Sequence, residues 1–193
     1  TTLSEDTCPS THKNLTFTFT STSGSQYSWT KTNSSSWTFS ACLTEWTRFD
    51  RTTVSVCMTG LNKGTTVTKL EAQEACTNIS ALLIGVESVQ EAQWMSDEIK
   101  RVIGIDKTSF WIDGERNCTD GGNKCDNYTW TNDLTTPSDV LKDSSIASIS
   151  YGDANGWEPC LAAYYRLDEQ FIINDVSRSF GRAKGAICGY KLI

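Results

Sequence analysis

The chain has 193 residues, with 17 Lys and Arg against 23 Asp and Glu and a pI near 4.8. That length holds one well-buried core and an appendage, and is too short for two large domains. The acidic balance offers no basic field for phosphate backbones or anionic lipid, which argues against nucleic acid as a partner.

Eight cysteines are spread along the chain rather than gathered in metal-ligand pairs, which points to disulfides made in an oxidising compartment. Five N-glycosylation sequons, beginning at Asn14, Asn33, Asn78, Asn117 and Asn127, agree with a secreted or extracellular chain. A composition this rich in Ser and Thr also yields some of these by chance. No apolar run reaches the ~20 residues that span a bilayer, and no charged, apolar leader stands at the start. Thr1 is then a mature terminus or a boundary within a longer chain, and an anchor outside this stretch stays open.

Residues 1–41 are crowded with Thr and Ser and interrupted by Trp29 and Trp37. A mucin-like stalk is one reading. The other is a small β extension, because Leu15, Phe17 and Phe19 alternate with Thr16, Thr18 and Thr20, and Tyr27-Ser28-Trp29 alternates again after a Ser/Gly turn. Thr68-Lys69-Leu70-Glu71 has the form of a capping box, and Ala72, Ala75, Cys76 and Ile79 follow at helical spacing; this predicts a first helix. Ala81 to Gly85 reads as a buried strand or extended link. Ser88-Val89-Gln90-Glu91 repeats the capping signature before a stripe of Ala92, Met95, Ile99 and Val102, which predicts a second helix.

From Ser109 onward only strand-like pieces follow: Phe110-Trp111-Ile112, Tyr128-Thr129-Trp130, Leu161 to Leu167, Phe171 to Ile173, and Ala186 to Leu192. Between Trp130 and Cys160 lies a long polar stretch. Structureless loops beyond about 15 residues are uncommon in compact domains and tend to be functional, so binding residues are sought there.

This order, two helices, a Trp-containing strand, a long polar loop and closing strands, resembles the C-type lectin-like domain over roughly residues 42 to 193, with 1–41 as an N-terminal extension. The residues that carry the resemblance are Cys42-Leu43-Thr44-Glu45-Trp46 with Cys57, Cys76, Phe110-Trp111-Ile112-Asp113-Gly114, Tyr128-Thr129-Trp130, Cys160, Asn174-Asp175 and Ala186-Ile187-Cys188-Gly189-Tyr190. The closing Ile-Cys-Gly is most similar to the secreted nematode branch. The resemblance implies an α+β fold in the long form, with two helices flanking antiparallel sheets. It also implies a Cys76–Cys188 bridge from the first helix to the last strand and a Cys42–Cys57 bridge in the N-terminal hairpin. Cys118 and Cys125, seven apart around Gly121-Gly122, suit a local bridge. A usual member pairs the cysteine at Cys160 with one three residues after the Asn-Asp doublet, where this chain has Arg178. The expectation is a Cys8–Cys160 bridge; the alternative is a free Cys8 available for an interchain bridge.

The resemblance also raises calcium, Ca2+, as the one candidate cofactor. Calcium takes about six to eight oxygen ligands, which sugar-binding members supply from a Glu-Pro-Asn or Gln-Pro-Asp clamp, a Glu two before the cysteine, and the Asn-Asp doublet. Here Glu158, Asn174 and Asp175 keep the last two elements. The clamp position falls on Ser150-Tyr151-Gly152, and Pro137 lies too far upstream. Asp153 and Asn155 are substitute oxygen donors only on an altered loop path, so the expected site is degenerate. Two ordinary explanations compete: the doublet caps a strand, and Glu158 is solvated or paired with Arg166 or Arg178.

An enzyme is not expected. The sole histidine, His12, lies in the extension beside Lys13, leaving no Ser-His-Asp or His-based zinc arrangement in the domain. A paired-carboxylate hydrolase needs only spatial proximity, and the fold reading supplies no reason for such a pair. Two binding readings remain. In the first the long loop binds glycans through Tyr151, Asp153, Asn155, Glu158, Asn174 and Asp175, with Tyr151 or Trp157 stacking on the sugar. In the second the domain binds an extracellular protein without calcium. Tyr151, Trp157, Trp29 and Trp37 suit either reading or the core. Sugar, partner and oligomeric state are not legible in the sequence.

Overall fold

The computed structural model describes residues 41–104, 107–116, 128–136, 139–150, 158–165 and 171–192, together with the backbone of three N-terminal strands. Those strands, β1 (Thr2–Leu3), β2 (Asn14–Thr20) and β3 (Gln26–Thr32), form an antiparallel sheet. Its register sets Phe17 opposite Trp29 and Thr16 opposite Thr30, so that alternating sequence pairs like with like.

The remaining elements are β4 (Thr47–Asp50), β5 (Ser55–Asn62), α1 (Lys69–Thr77), β6 (Leu82–Leu83), α2 (Val89–Ile103), β7 (Thr108–Arg116), β8 (Tyr128–Thr129), a 3-10 turn (Asp139–Lys142), β9 (Ala147–Ser148), β10 (Cys160–Tyr165), β11 (Ile173–Val176) and β12 (Ala183–Lys191). They build a curled mixed sheet in the order β4-β5-β12-β7-β10-β11-β9, with β6 added on β12 and β8 on β7. Central β7 is buried on both faces, which explains its apolar run. Strand alternation sends Phe110 and Ile112 to one core with Met95 and Ile99 of α2, and Trp111 to the other with Ala72 and Cys76 of α1. Ile187 and Cys188 of β12 divide in the same way.

Both helix starts follow their capping signals. Thr68 accepts from the Glu71 amide while Glu71 Oε2 accepts from the Thr68 amide at 2.7 Å, and Ser88 accepts from the Glu91 amide at 3.1 Å. Gly104 ends α2 with a φ of 69°, a conformation open to glycine without strain. The first helix is shorter than its spacing suggests. Asn78 closes onto Glu74 O, Ser80 turns back at a φ of 59°, and Ile79 is left exposed instead of continuing the buried stripe.

Two bridges form as the resemblance implies: Cys42–Cys57 within the hairpin and Cys76–Cys188 from α1 to β12. The expected Cys8–Cys160 bridge does not. Cys160 is a free, fully buried thiol packed in the core with Trp111 and Val176, and Cys8 lies outside the described residues with Cys118 and Cys125. The place that would hold a partner cysteine is given to Arg178, whose guanidinium is bound 3.2 Å from Glu115, the residue opposite Cys160 on β7. Burial raises the Cys160 thiol pKa above its ordinary value.

Candidate functional site

The long loop runs from Trp130 to Cys160 and is fastened to the sheet at several points. At its start the Asp113 carboxylate accepts from the Thr131 amide at 2.8 Å and the Thr131 hydroxyl at 2.6 Å. Asn132 adds a donor to Leu83 O at 2.9 Å. Further along, the buried Arg51 guanidinium holds both oxygens of Glu91 at 2.9 Å and donates to Gly85 O, Leu134 O and Thr135 Oγ1. Carbonyls at a turn cannot be buried without donors, and this single cation supplies them. At the far side β9 lies parallel to β11, with Ala147 opposite Ile173 and Ser148 opposite Asn174.

These fastenings bring Ser150 against Asp175. The Ser150 amide donates to Asp175 Oδ2 at 2.9 Å, and its hydroxyl lies 3.3 Å from Glu158 Oε2 and 3.5 Å from each Asp175 oxygen. The residue reached by counting back from Cys160 is thus the one that meets the doublet. Glu158 and Asp175 are joined through Ser150, and Glu158 does not pair with Arg178, which is bound to Glu115.

A cation already stands in this corner. Arg116, at the end of β7, donates from Nη2 to Asp175 Oδ2 at 2.6 Å, Ser150 O at 2.6 Å and the Tyr128 hydroxyl at 2.8 Å. The side chains of Arg116 and Asp175 are 0% and 1% exposed. The guanidinium also faces the Tyr128 ring, 5.2 Å from its centroid. Tyr128 donates in turn to Glu158 O at 3.3 Å, and burial keeps its phenol protonated far above the ordinary range. Burial likewise pushes the Asp175 carboxyl up, while the Ser150 amide and the Arg116 charge pull it back down.

The remaining expected residues divide. Asp175 and Glu158 meet in the corner. Asn174 is half-buried inside β11, which begins at Ile173 rather than Phe171, so the doublet belongs to a strand and does not cap one. Among the described residues no hydrogen bond joins the Asn174 side chain to Glu158 or Asp175. Tyr151, Asp153, Asn155 and Trp157 lie outside the described residues, as do Arg166 and the sequons at Asn33, Asn117 and Asn127. The sequon residue Asn78 is exposed just past α1. Arg116 and Tyr128 were not legible as site residues, because neither carries a local motif pointing to residue 175.

Among the described residues the corner does not fit the calcium ion that the resemblance raises: Asp175 Oδ2 already accepts from a guanidinium and an amide, and no group of three or more His, Cys, Asp and Glu is gathered there for a metal.

No family model matches the chain, and no curated protein matches it in sequence. Solved structures match it in fold. Human lithostathine superposes with a TM-score of 0.53 at 17% identity, covering 78% of this chain and 91% of its own. The C-type lectin domain of murine dendritic cell inhibitory receptor 2, solved in complex with N-glycan, gives 0.50 at 19%, covering 78% and 99%. A calcium-independent type II antifreeze protein gives 0.50 at 19%, covering 79% and 96%. The chain has the C-type lectin-like fold.

Proposed function

We propose that this chain is a secreted, non-enzymatic recognition module that binds carbohydrate at its long-loop corner without calcium. Residues 42–193 form the recognition domain and 1–41 an appended extension. The observation that carries the reading is the convergence of Ser150, Glu158 and Asp175 where the long loop returns to the sheet. The fold is shared with a domain solved in complex with N-glycan. Glu158, with Tyr151, Asp153 and Asn155 of the preceding loop, supplies acceptors and a ring for sugar hydroxyls and faces. Asp175 holds the loop from beneath through Ser150 and Arg116. Bridges and sequons suit the extracellular space, no described helix is long and apolar enough to cross a membrane, and the Ile187-Cys188-Gly189 ending favours the secreted nematode branch.

A second reading has its own support. With Asp175 committed to Arg116, the corner offers a protein surface its loop side chains alone. A glycan array probed with the wild-type chain and with Glu158→Ala separates the two. Glycan binding by wild type that weakens at least severalfold in the variant supports carbohydrate. A blank array, with capture of an extracellular protein, gives the second reading.

A further inference from the structure

The Arg116 guanidinium makes contacts that a loop-ordering metal ion would make. It gathers oxygens from three separate segments, the Tyr128 hydroxyl on β8, the Ser150 carbonyl on the long loop and the Asp175 carboxylate on β11, all within 2.8 Å of one nitrogen. The far end of the same loop is tied in as well, because the Arg116 amide donates to Pro159 O at 2.8 Å and Tyr128 reaches Glu158 O. We infer that Arg116 is a permanent, covalently attached cation that orders the long loop and closes this corner to calcium.

Charge decides the exclusion. A divalent ion entering the corner would have to evict the guanidinium from a dry ion pair or sit beside it as a like charge, and both are costly where solvent does not screen. Arginine cannot release its proton at any ordinary pH, so this cation is not lost by titration, dilution or chelation. Arginine differs from lysine here in its second contact and its flat face: Nε also donates to the Tyr128 hydroxyl at 3.2 Å, and the guanidinium lies 5.2 Å from the centroid of the Tyr128 ring, which a lysine ammonium does not reproduce together. The order of the loop end, and with it any ligand contact there, is then independent of calcium. The binding consequence rests on the recognition reading above; the ordering role of Arg116 does not.

The test is thermal unfolding combined with amide hydrogen exchange, on the wild-type chain, Arg116→Met and Arg116→Lys, each in millimolar calcium chloride and in chelator. Wild type gives one midpoint and one slow Ser150 exchange rate in both conditions. R116M lowers the midpoint and speeds Ser150 exchange by on the order of tenfold, the loss expected for a hydrogen-bonded charged group. R116K recovers part of both. A wild-type midpoint that rises with calcium overturns the inference, as does an R116M chain whose Ser150 amide stays fully protected. If neither variant folds, the wild-type comparison decides alone: indifference to calcium supports the inference and a rise overturns it. A blank glycan array beside a calcium-indifferent midpoint sinks only the carbohydrate reading.

Discussion

Arg116 and Asp175 stand 59 positions apart in the chain and 2.6 Å apart in the fold. A buried pair of this kind is weak evidence for net stability, because taking both charges out of water offsets most of their attraction. Breaking it is another matter, since removing one partner leaves a buried charge uncompensated at about 3 to 5 kcal/mol. We expect R116M and Asp175→Leu each to lose about that much in urea unfolding, and the double variant to lose clearly less than the sum. An additive double variant would mean the two residues act separately. Motif spacing led to Asp175 and Glu158, but not to Arg116: a single basic residue at a strand end carries no periodic signal, and its meaning comes only from tertiary pairing. Cys160 teaches the same lesson from the other side. The gap at Arg178 is legible and points to Cys8 as the partner of the sulfur, but burial against Trp111 and Val176 accommodates a free thiol. Alkylation of unfolded, unreduced protein followed by peptide mapping should recover Cys160 alkylated. Recovery of Cys160 linked to Cys8 would contradict it.

At the scale of elements, local signals are clearest where the backbone itself demands a side chain. The α1 start needs acceptors for unpaired amides, and Thr68 and Glu71 supply them reciprocally. Thr68→Ala should cost about 1 kcal/mol in denaturant unfolding. The Glu71 carboxyl is held below its ordinary value of 4.5, first by the Thr68 amide and then by the Thr68 hydroxyl. A carboxyl depressed in the fold adds stability that is fully present above its unfolded value and disappears as pH falls through the folded one. The midpoint difference between wild type and Glu71→Gln should therefore be constant near neutrality and shrink below pH 4.5. A difference that grows in acid would reverse the assignment. Element ends were less legible than element cores. Spacing alone extends the α1 stripe to Ile79 because it does not see the turn at Ser80, and it starts β11 early because Phe171 and Ile172 share its apolar character.

Across the described domain, two cores lie on opposite faces of one sheet, and the Cys76–Cys188 bridge ties the helix of one face to β12, a strand that serves both. Its separation of 112 residues gives a chain-entropy contribution of about 4 to 5 kcal/mol, an upper figure since residual structure in the unfolded chain reduces it. A Cys76→Ala, Cys188→Ala chain should fall short of wild type by up to that amount in guanidinium unfolding, and a loss under about 1 kcal/mol would deny the bridge a stabilising role. The architecture was legible because its markers are many and ordered along the chain. The site was only half legible, because a loop that is polar and aperiodic takes its path from distant fastenings such as Arg51 and Asp113.

A lectin-like fold here carries a corner with its own cation, and the most direct measurement is glycan-array binding by the wild-type chain in calcium and again in chelator. The same glycans should be bound to the same extent in both. Binding that appears with calcium and vanishes in chelator would contradict it.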